Sequence, residues 1–219
     1  MKKISDLILY KDHQLIVLNK PAGLPTQQDQ SGDVSAHRMA MAYAHRDLYL
    51  IHRLDRRVSG ILLLTKTKEA AAAILKQWGS DTVKKTYLAI VPHADLPAAG
   101  DLCHHLTYDN KQNIAFAQHE PGTNTDEARL SYRIIQHLEH FMVLHIELKT
   151  GRKHQIRAQL AALDIPVRGD IKYGSKRTNE NGAIDLHAYE LEIEHPSKHT
   201  KVKFTAPLPE DGLWKHVQL

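Results

Sequence analysis

His52-Arg53-Leu54-Asp55-Arg56-Arg57-Val58-Ser59-Gly60, followed at once by Ile61-Leu62-Leu63-Leu64, decides how the rest of the chain is read. Four consecutive aliphatics behind a polar, glycine-ended turn read as a short strand buried on both faces. The turn itself places one acid, Asp55, among His52, Arg53, Arg56 and Arg57. Nearby positive charge favours the ionised form of a carboxyl group. Asp55 is therefore expected as a carboxylate at neutral pH, held at the entrance to a rigid element. That placement suits a carboxylate nucleophile. It equally suits a salt-bridged loop acid on a basic surface, and the nonapeptide alone leaves both open.

Outward from this block, short apolar runs alternate with turn signals. Leu7–Tyr10 and Leu15–Asn19 read as a strand pair, stopped by Lys20-Pro21-Ala22-Gly23-Leu24-Pro25. Thr26–Gly32 reads as a mobile polar loop. Asp33 or Ser35 caps a helix running through Arg46, with Val34, His37, Met41 and Ala44 near one face. Lys68–Gly79 reads as an amphipathic helix with Ala71, Ile74, Leu75 and Trp78 as its apolar stripe. Lys84–Val91 is a strand, and Leu102–Gln118 gives only irregular strand signals. Ala128–Ile135 and Phe141–Leu148 read as a hairpin. Lys153–Leu163 reads as a helix with Arg157 on its flank, and Ala183–Ile193 and Lys201–Phe204 as late strands. No repeat or linker interrupts the pattern, which is α+β around one core, a single domain over 1–219.

Composition narrows the function classes. A chain of 219 residues buries a sizeable core. Its net charge of +4 and pI near 9.0 are compatible with nucleic acid without demanding it. One cysteine, Cys103, excludes an internal disulfide framework and suggests a reducing compartment. The N-terminal apolar run is too short for a signal peptide, and no stretch has the length of a membrane helix. A soluble cytoplasmic protein is expected. His104, His105, His137, His140 and His145 show neither HExxH nor CxxC spacing, so no metal is expected.

HRLDRRVSGILLLTK resembles the signature of the RluA family of pseudouridine synthases. Val17–Thr26 (VLNKPAGLPT), Lys84–Val91 (KKTYLAIV) and Thr150–Gly174 (TGRKHQIRAQLAALDIPVRGDIKYG) agree with that family in order and spacing. Val58 departs from it, standing where the family usually has threonine. The exchange is expected to touch local hydrogen bonding more than chemistry. The resemblance implies a central mixed, mainly antiparallel β-sheet with peripheral helices, an RNA cleft, and no room for the extra N-terminal RNA-binding domain of some relatives. It implies an isomerase acting on uridines in structured tRNA or rRNA, without cofactor and without an obligate protein partner, as a monomer.

Residue by residue, the resemblance makes Asp55 the catalytic acid, Tyr87 the active-site aromatic and Arg157 the cation partnering Asp55. Arg53 fills the space of an extruded base or holds its phosphate. Lys84, Lys85, Arg152 and Lys153 are expected to attract phosphate, Lys20 to touch phosphate or equally to serve a structural turn, and His52 to support the loop or touch RNA. Without the resemblance, Tyr87 reads first as a packed strand tyrosine and Arg157 as a solvated helix arginine. Two competing classes remain: an inactive RNA-binding module using the same cleft, and a carboxylate-nucleophile hydrolase. The second lacks a recognisable second acid or metal site.

Overall fold

The computed structural model describes residues 3–219. In chain order the strands are β1 (Ile8–Lys11), β2 (Leu15–Lys20), β3 (Tyr49–Leu50), β4 (Ser59–Thr65), β5 (Lys84–Pro92), β6 (Ala99–Asp109), β7 (Ile114–Gln118), β8 (Asp126–His137), β9 (Phe141–Leu148), β10 (Leu186–Glu194) and β11 (Lys201–Thr205). The helices are α1 (Ala36–Ala44), α2 (Lys68–Gln77) and α3 (Gln155–Ala161). Single 3-10 turns occupy Ile4–Leu7, Ile171–Tyr173 and Gly212–His216. Two compact units divide the chain. One runs from the N-terminus to Lys85 and includes His187–Leu208; the other comprises Thr86–Leu186 and Pro209–Leu219.

In the first unit the strand order is β1-β2-β4-β10, with β3 on β4 and β11 on β10. All pairs are antiparallel except β4 with β10, so the sheet is mixed. Every residue of β4 is buried, as the aliphatic run predicts. The period of two explains how. Ile61 and Leu63 pack with Leu15, Val17, Leu191 and Ile193 against Ala71 and Ile74 of α2. Leu62 and Leu64 pack with Ile16, Leu18 and Leu48 against Ala36 and Ala40 of α1. One helix covers each face, which is what a strand without polar positions requires.

Both helices start where side-chain oxygens can cap them. Ser35 accepts from the Arg38 N–H, and Thr67 accepts from the Ala70 N–H. Their buried faces differ from the expected stripes. In α1 the small residues Ala36 and Ala40 face the sheet, and Val34 is exposed. In α2 Leu75 is exposed, while Ala70, Ala71 and Ile74 are buried. Close approach to a flat sheet favours alanine over the larger residues that an apolarity count selects.

In the second unit the order is β5-β9-β8-β6-β7. The 102–118 region, expected as irregular strands, is a regular hairpin of β6 and β7. Asp109 makes its turn by accepting from the Lys111 and Gln112 N–H groups, and Asn113 takes a left-handed φ of 54°. α3 is shorter than the expected 153–163 helix, and its residues Gln155 to Leu160 are all buried. Ala158 packs with Leu106, Ala115, Ala128 and Tyr173. The expected α+β class with a mixed, mainly antiparallel sheet and few helices is what the chain forms. Among the described residues no helix is long and apolar enough to cross a bilayer.

Gly60 lies where β4 meets β10 in parallel register, opposite Ala188. Its φ is 111°, and a Cβ there would sit 2.2 Å from the Ala188 carbonyl oxygen. Gly60→Ala should therefore cost about 2 kcal/mol or more in urea unfolding, from backbone strain and overpacking. Gly79→Ala, with nothing within 4 Å of its Cβ position, should stay within about 0.5 kcal/mol of wild type. Equal costs for the two would contradict the close approach.

Candidate active site

Asp55 stands in the turn that feeds β4, partly buried, with the Val58 N–H donating to its backbone oxygen at 3.0 Å. That bond closes the turn through the main chain. Val58 is itself buried. The residues on either side of Asp55 are both tied down. Leu54 is gripped by Thr26, whose Oγ1 donates to the Leu54 oxygen at 2.7 Å and accepts from the Leu54 N–H at 3.2 Å. The Arg56 oxygen accepts from the Gly23 N–H at 2.7 Å, and Arg56 Nε donates to the Gly23 oxygen at 2.9 Å. Gly23 has φ 87°, a left-handed conformation in which a side chain would be strained. The Arg56 guanidinium also pairs with Asp33 and, at 3.7 Å, with Asp29. Thr26 is therefore not part of a mobile loop but one of the fixed points of the turn.

Lys20, expected either to touch phosphate or to serve a structural turn, has no exposed surface, and its Nζ donates to the oxygens of Pro21 at 3.0 Å, Leu24 at 2.9 Å and Arg56 at 3.4 Å. Burial pulls its pKa down to about 7, against the opposing pull of the Asp55 charge. Lys85 is corrected in the same sense. It is buried, with Nζ 5.7 Å over the Trp78 ring and 3.5 Å from the Trp78 oxygen. Lys84 is exposed, as is Arg53. His52 serves the loop. Its Nε2 accepts from the Leu63 N–H at 3.1 Å, and its ring stacks on Trp78 at 5.0 Å. Removal from water, with Lys85 nearby, lowers its pKa to about 4.

The second unit holds the other expected site residues. Tyr87 lies on β5, partly buried between buried neighbours Thr86 and Leu88. Arg157 is buried rather than solvated. Asp170 takes it in a fork, with Nε at 2.6 Å and Nη2 at 2.9 Å, and the guanidinium lies 4.6 Å over the Tyr173 ring. The Tyr173 hydroxyl accepts from the Ala115 N–H at 2.8 Å and meets His154 Nδ1 at 2.9 Å. A planar cation clamped by a carboxylate and an aromatic face has little freedom left. Arg152 is exposed but engaged, with Nε on the Glu127 oxygen and Nη1 3.4 Å from Asp126. Lys153 is exposed.

Sequence reasoning did not single out Thr26, Asp170 or Tyr173. Asp170 and Tyr173 fall inside the Thr150–Gly174 block, so an acid and an aromatic within one motif were the available signal. For Thr26 there was none beyond its place at the end of the Val17–Thr26 block.

With this geometry in view, residues 14–162 match the RNA pseudouridylate synthase family. The chain is 32% identical over 225 residues to ribosomal large subunit pseudouridine synthase D of Xylella fastidiosa, covering 93% of this chain and 66% of that protein. It is 29% identical to an uncharacterized RNA pseudouridine synthase of Bacillus subtilis, covering 93% of this chain and 69% of that one. The chain thus spans about two thirds of the length of these curated relatives. Human RNA pseudouridylate synthase domain containing 4 shares the fold, with a TM-score of 0.74 at 23% identity, over 94% of this chain and 90% of that one.

Two histidines of the first unit make the fold acid-sensitive. His187, buried with its Nδ1 2.8 Å from Ser59 Oγ, also has its pKa lowered to about 4 by burial. Unfolded histidine titrates near 6.5. Between pH 6.5 and 4 the unfolded chain binds more protons than the folded one, so stability falls as pH drops through that window. Urea midpoints should decline across it by the equivalent of roughly 2 kcal/mol or more. His52→Gln, which keeps an acceptor for Leu63, should flatten the decline. A variant slope matching wild type would refute the assignment.

Proposed function

The chain belongs to the RNA pseudouridylate synthase family, and from that premise we propose that it converts particular uridines of structured RNA into pseudouridine. Asp55 is the group that acts on the nucleoside. The observation that carries this reading is the turn around Asp55: its two flanking residues are held by Thr26, Gly23 and Lys20, while Asp55 itself is only partly buried. A fixed backbone under a partly exposed acid suits a preorganised catalytic group.

The reaction exchanges bonds within one nucleoside. The bond from ribose C1′ to N1 breaks, the uracil turns, and C1′ bonds to C5. The proton on C5 leaves, and N1 takes one up. Nothing is oxidised or hydrolysed, so the balance calls for no cofactor. Asp55 supplies negative charge to the sugar or ring as the bond breaks. Tyr87 stacks on the uracil and takes part in moving the C5 proton. Arg157, held by Asp170, is the fixed cation of the proposed catalytic set.

A uridine inside a stem is out of reach until extruded, and Arg53, exposed beside Asp55, is placed to occupy the vacated space or bind phosphate. Lys84 and Lys153 add exposed positive charge, and RNA binding should weaken as salt rises. The relatives' names favour ribosomal RNA as target, with transfer RNA as the other class. We place the protein in the cytoplasm, working as a monomer with residues 1–219 as one catalytic domain.

Incubation of the purified protein with unmodified ribosomal and transfer RNA, followed by nucleoside mass analysis, tests the proposal. Pseudouridine should form with wild type, and Asp55→Asn should lose at least about 1,000-fold in rate while RNA affinity stays within a few-fold, since the change removes chemistry and not the binding surface. RNA binding without pseudouridine from wild type would point to a binding module. Tyr87→Phe should bind RNA normally yet stall after the base is attacked or detached; normal product release by that variant would remove its role.

A further inference from the structure

We propose that Thr26 is a positioning residue for the reaction, acting through Leu54 to set the backbone from which the Asp55 side chain projects. This rests on the pseudouridine synthase reading and adds a residue to it.

The case is geometric. The Thr26 side chain is buried, and its single oxygen spends both capacities on one distant residue. It donates to the Leu54 carbonyl at 2.7 Å and accepts from the Leu54 N–H at 3.2 Å, across 28 positions of sequence. Threonine hydroxyls more often satisfy themselves on nearby backbone. Here donor and acceptor together fix both ends of the residue before Asp55, leaving Leu54 little room to rotate.

Thr26 is itself held. Its carbonyl accepts from the His37 N–H at 3.1 Å, and the Pro25 carbonyl accepts from the Ala36 N–H at 2.9 Å. Both donors lie in the first turn of α1, which Ser35 caps and which packs on β4 through Ala36 and Ala40. A chain of bonds therefore runs from the covered face of β4, through α1, to Thr26 and on to Leu54. On the other side of Asp55, Gly23 and Lys20 hold Arg56. The carboxylate projects from a backbone pinned one residue before and one residue after, and the Thr26 hydroxyl is the side-chain pin before it. An error of about 1 Å in the placement of a catalytic group lowers rates by roughly 100-fold, so the loss of this pin should register in turnover.

The experiment compares wild type, Thr26→Val, Thr26→Ser and Thr26→Cys on the RNA that wild type modifies. Rates are measured well below each melting temperature. Valine keeps the shape and removes the hydroxyl; serine restores it; cysteine keeps a weak donor and acceptor should valine fail to fold. Expected are a fall in kcat of tenfold or more for valine, or for cysteine in its place, KM for RNA within twofold, and recovery by serine to within about threefold of wild type. A merely structural role predicts a lower melting temperature with kcat per folded molecule unchanged, and that result overturns the proposal. So does a serine variant as impaired as valine. Absence of pseudouridine formation by wild type would sink the underlying reading instead, which keeps the two failures distinct.

Discussion

The buried ammonium of Lys20 joins the two segments on which the candidate site is built. Its Nζ reaches the carbonyls of Pro21 and Leu24 in one segment and of Arg56 in the other. A lysine taken out of water is costly unless its protons find acceptors, and three main-chain oxygens together with the nearby Asp55 charge offset that cost. The dependence is mutual. Without the ammonium the Pro21 and Leu24 carbonyls would lose this donor, and the Arg56 segment would be held to the first by its bonds with Gly23 alone. Because its acceptors are main-chain oxygens, the Lys20 side chain acts directly on the backbone that carries Asp55.

Arg157 plays a comparable part in the second unit. Asp170 meets it in a two-point fork, and Tyr173 lies beneath the guanidinium while its own hydroxyl is occupied by Ala115 and His154. Each unit therefore presents a pre-set group: a carboxylate on a pinned turn in the first, a clamped guanidinium in the second. In both, the precision comes from neighbours that carry no chemistry themselves.

Much of this was legible in the sequence, and the parts that were not share a cause. Ile61–Leu64 announced a strand covered on both faces, and four motif blocks announced the family. The inward turn of Lys20 and Lys85 did not show, because a lysine's residue type predicts a solvated end and only the third dimension shows which carbonyls or rings lie within its reach. Arg157 was placed on the flank of its helix by an apolar stripe of Ile156, Leu160 and Leu163. Yet α3 is buried all round, polar residues included, so no stripe exists to be flanked. The hairpin of β6 and β7 was hidden by its composition: His104 and Leu106 alternate with polar positions, and a buried histidine does not register as apolar. Thr26 was hidden by locality, since its partner lies 28 residues away.

Whether this chain makes pseudouridine with Asp55 as the acting group is tested by a transcriptome-wide pseudouridine map from cells lacking the gene, and from the same cells expressing wild type or Asp55→Asn. One or a few defined positions in structured RNA should lose the modification, regain it with wild type and not regain it with Asp55→Asn. An unchanged map on deletion, or full restoration by the variant, would contradict the proposal.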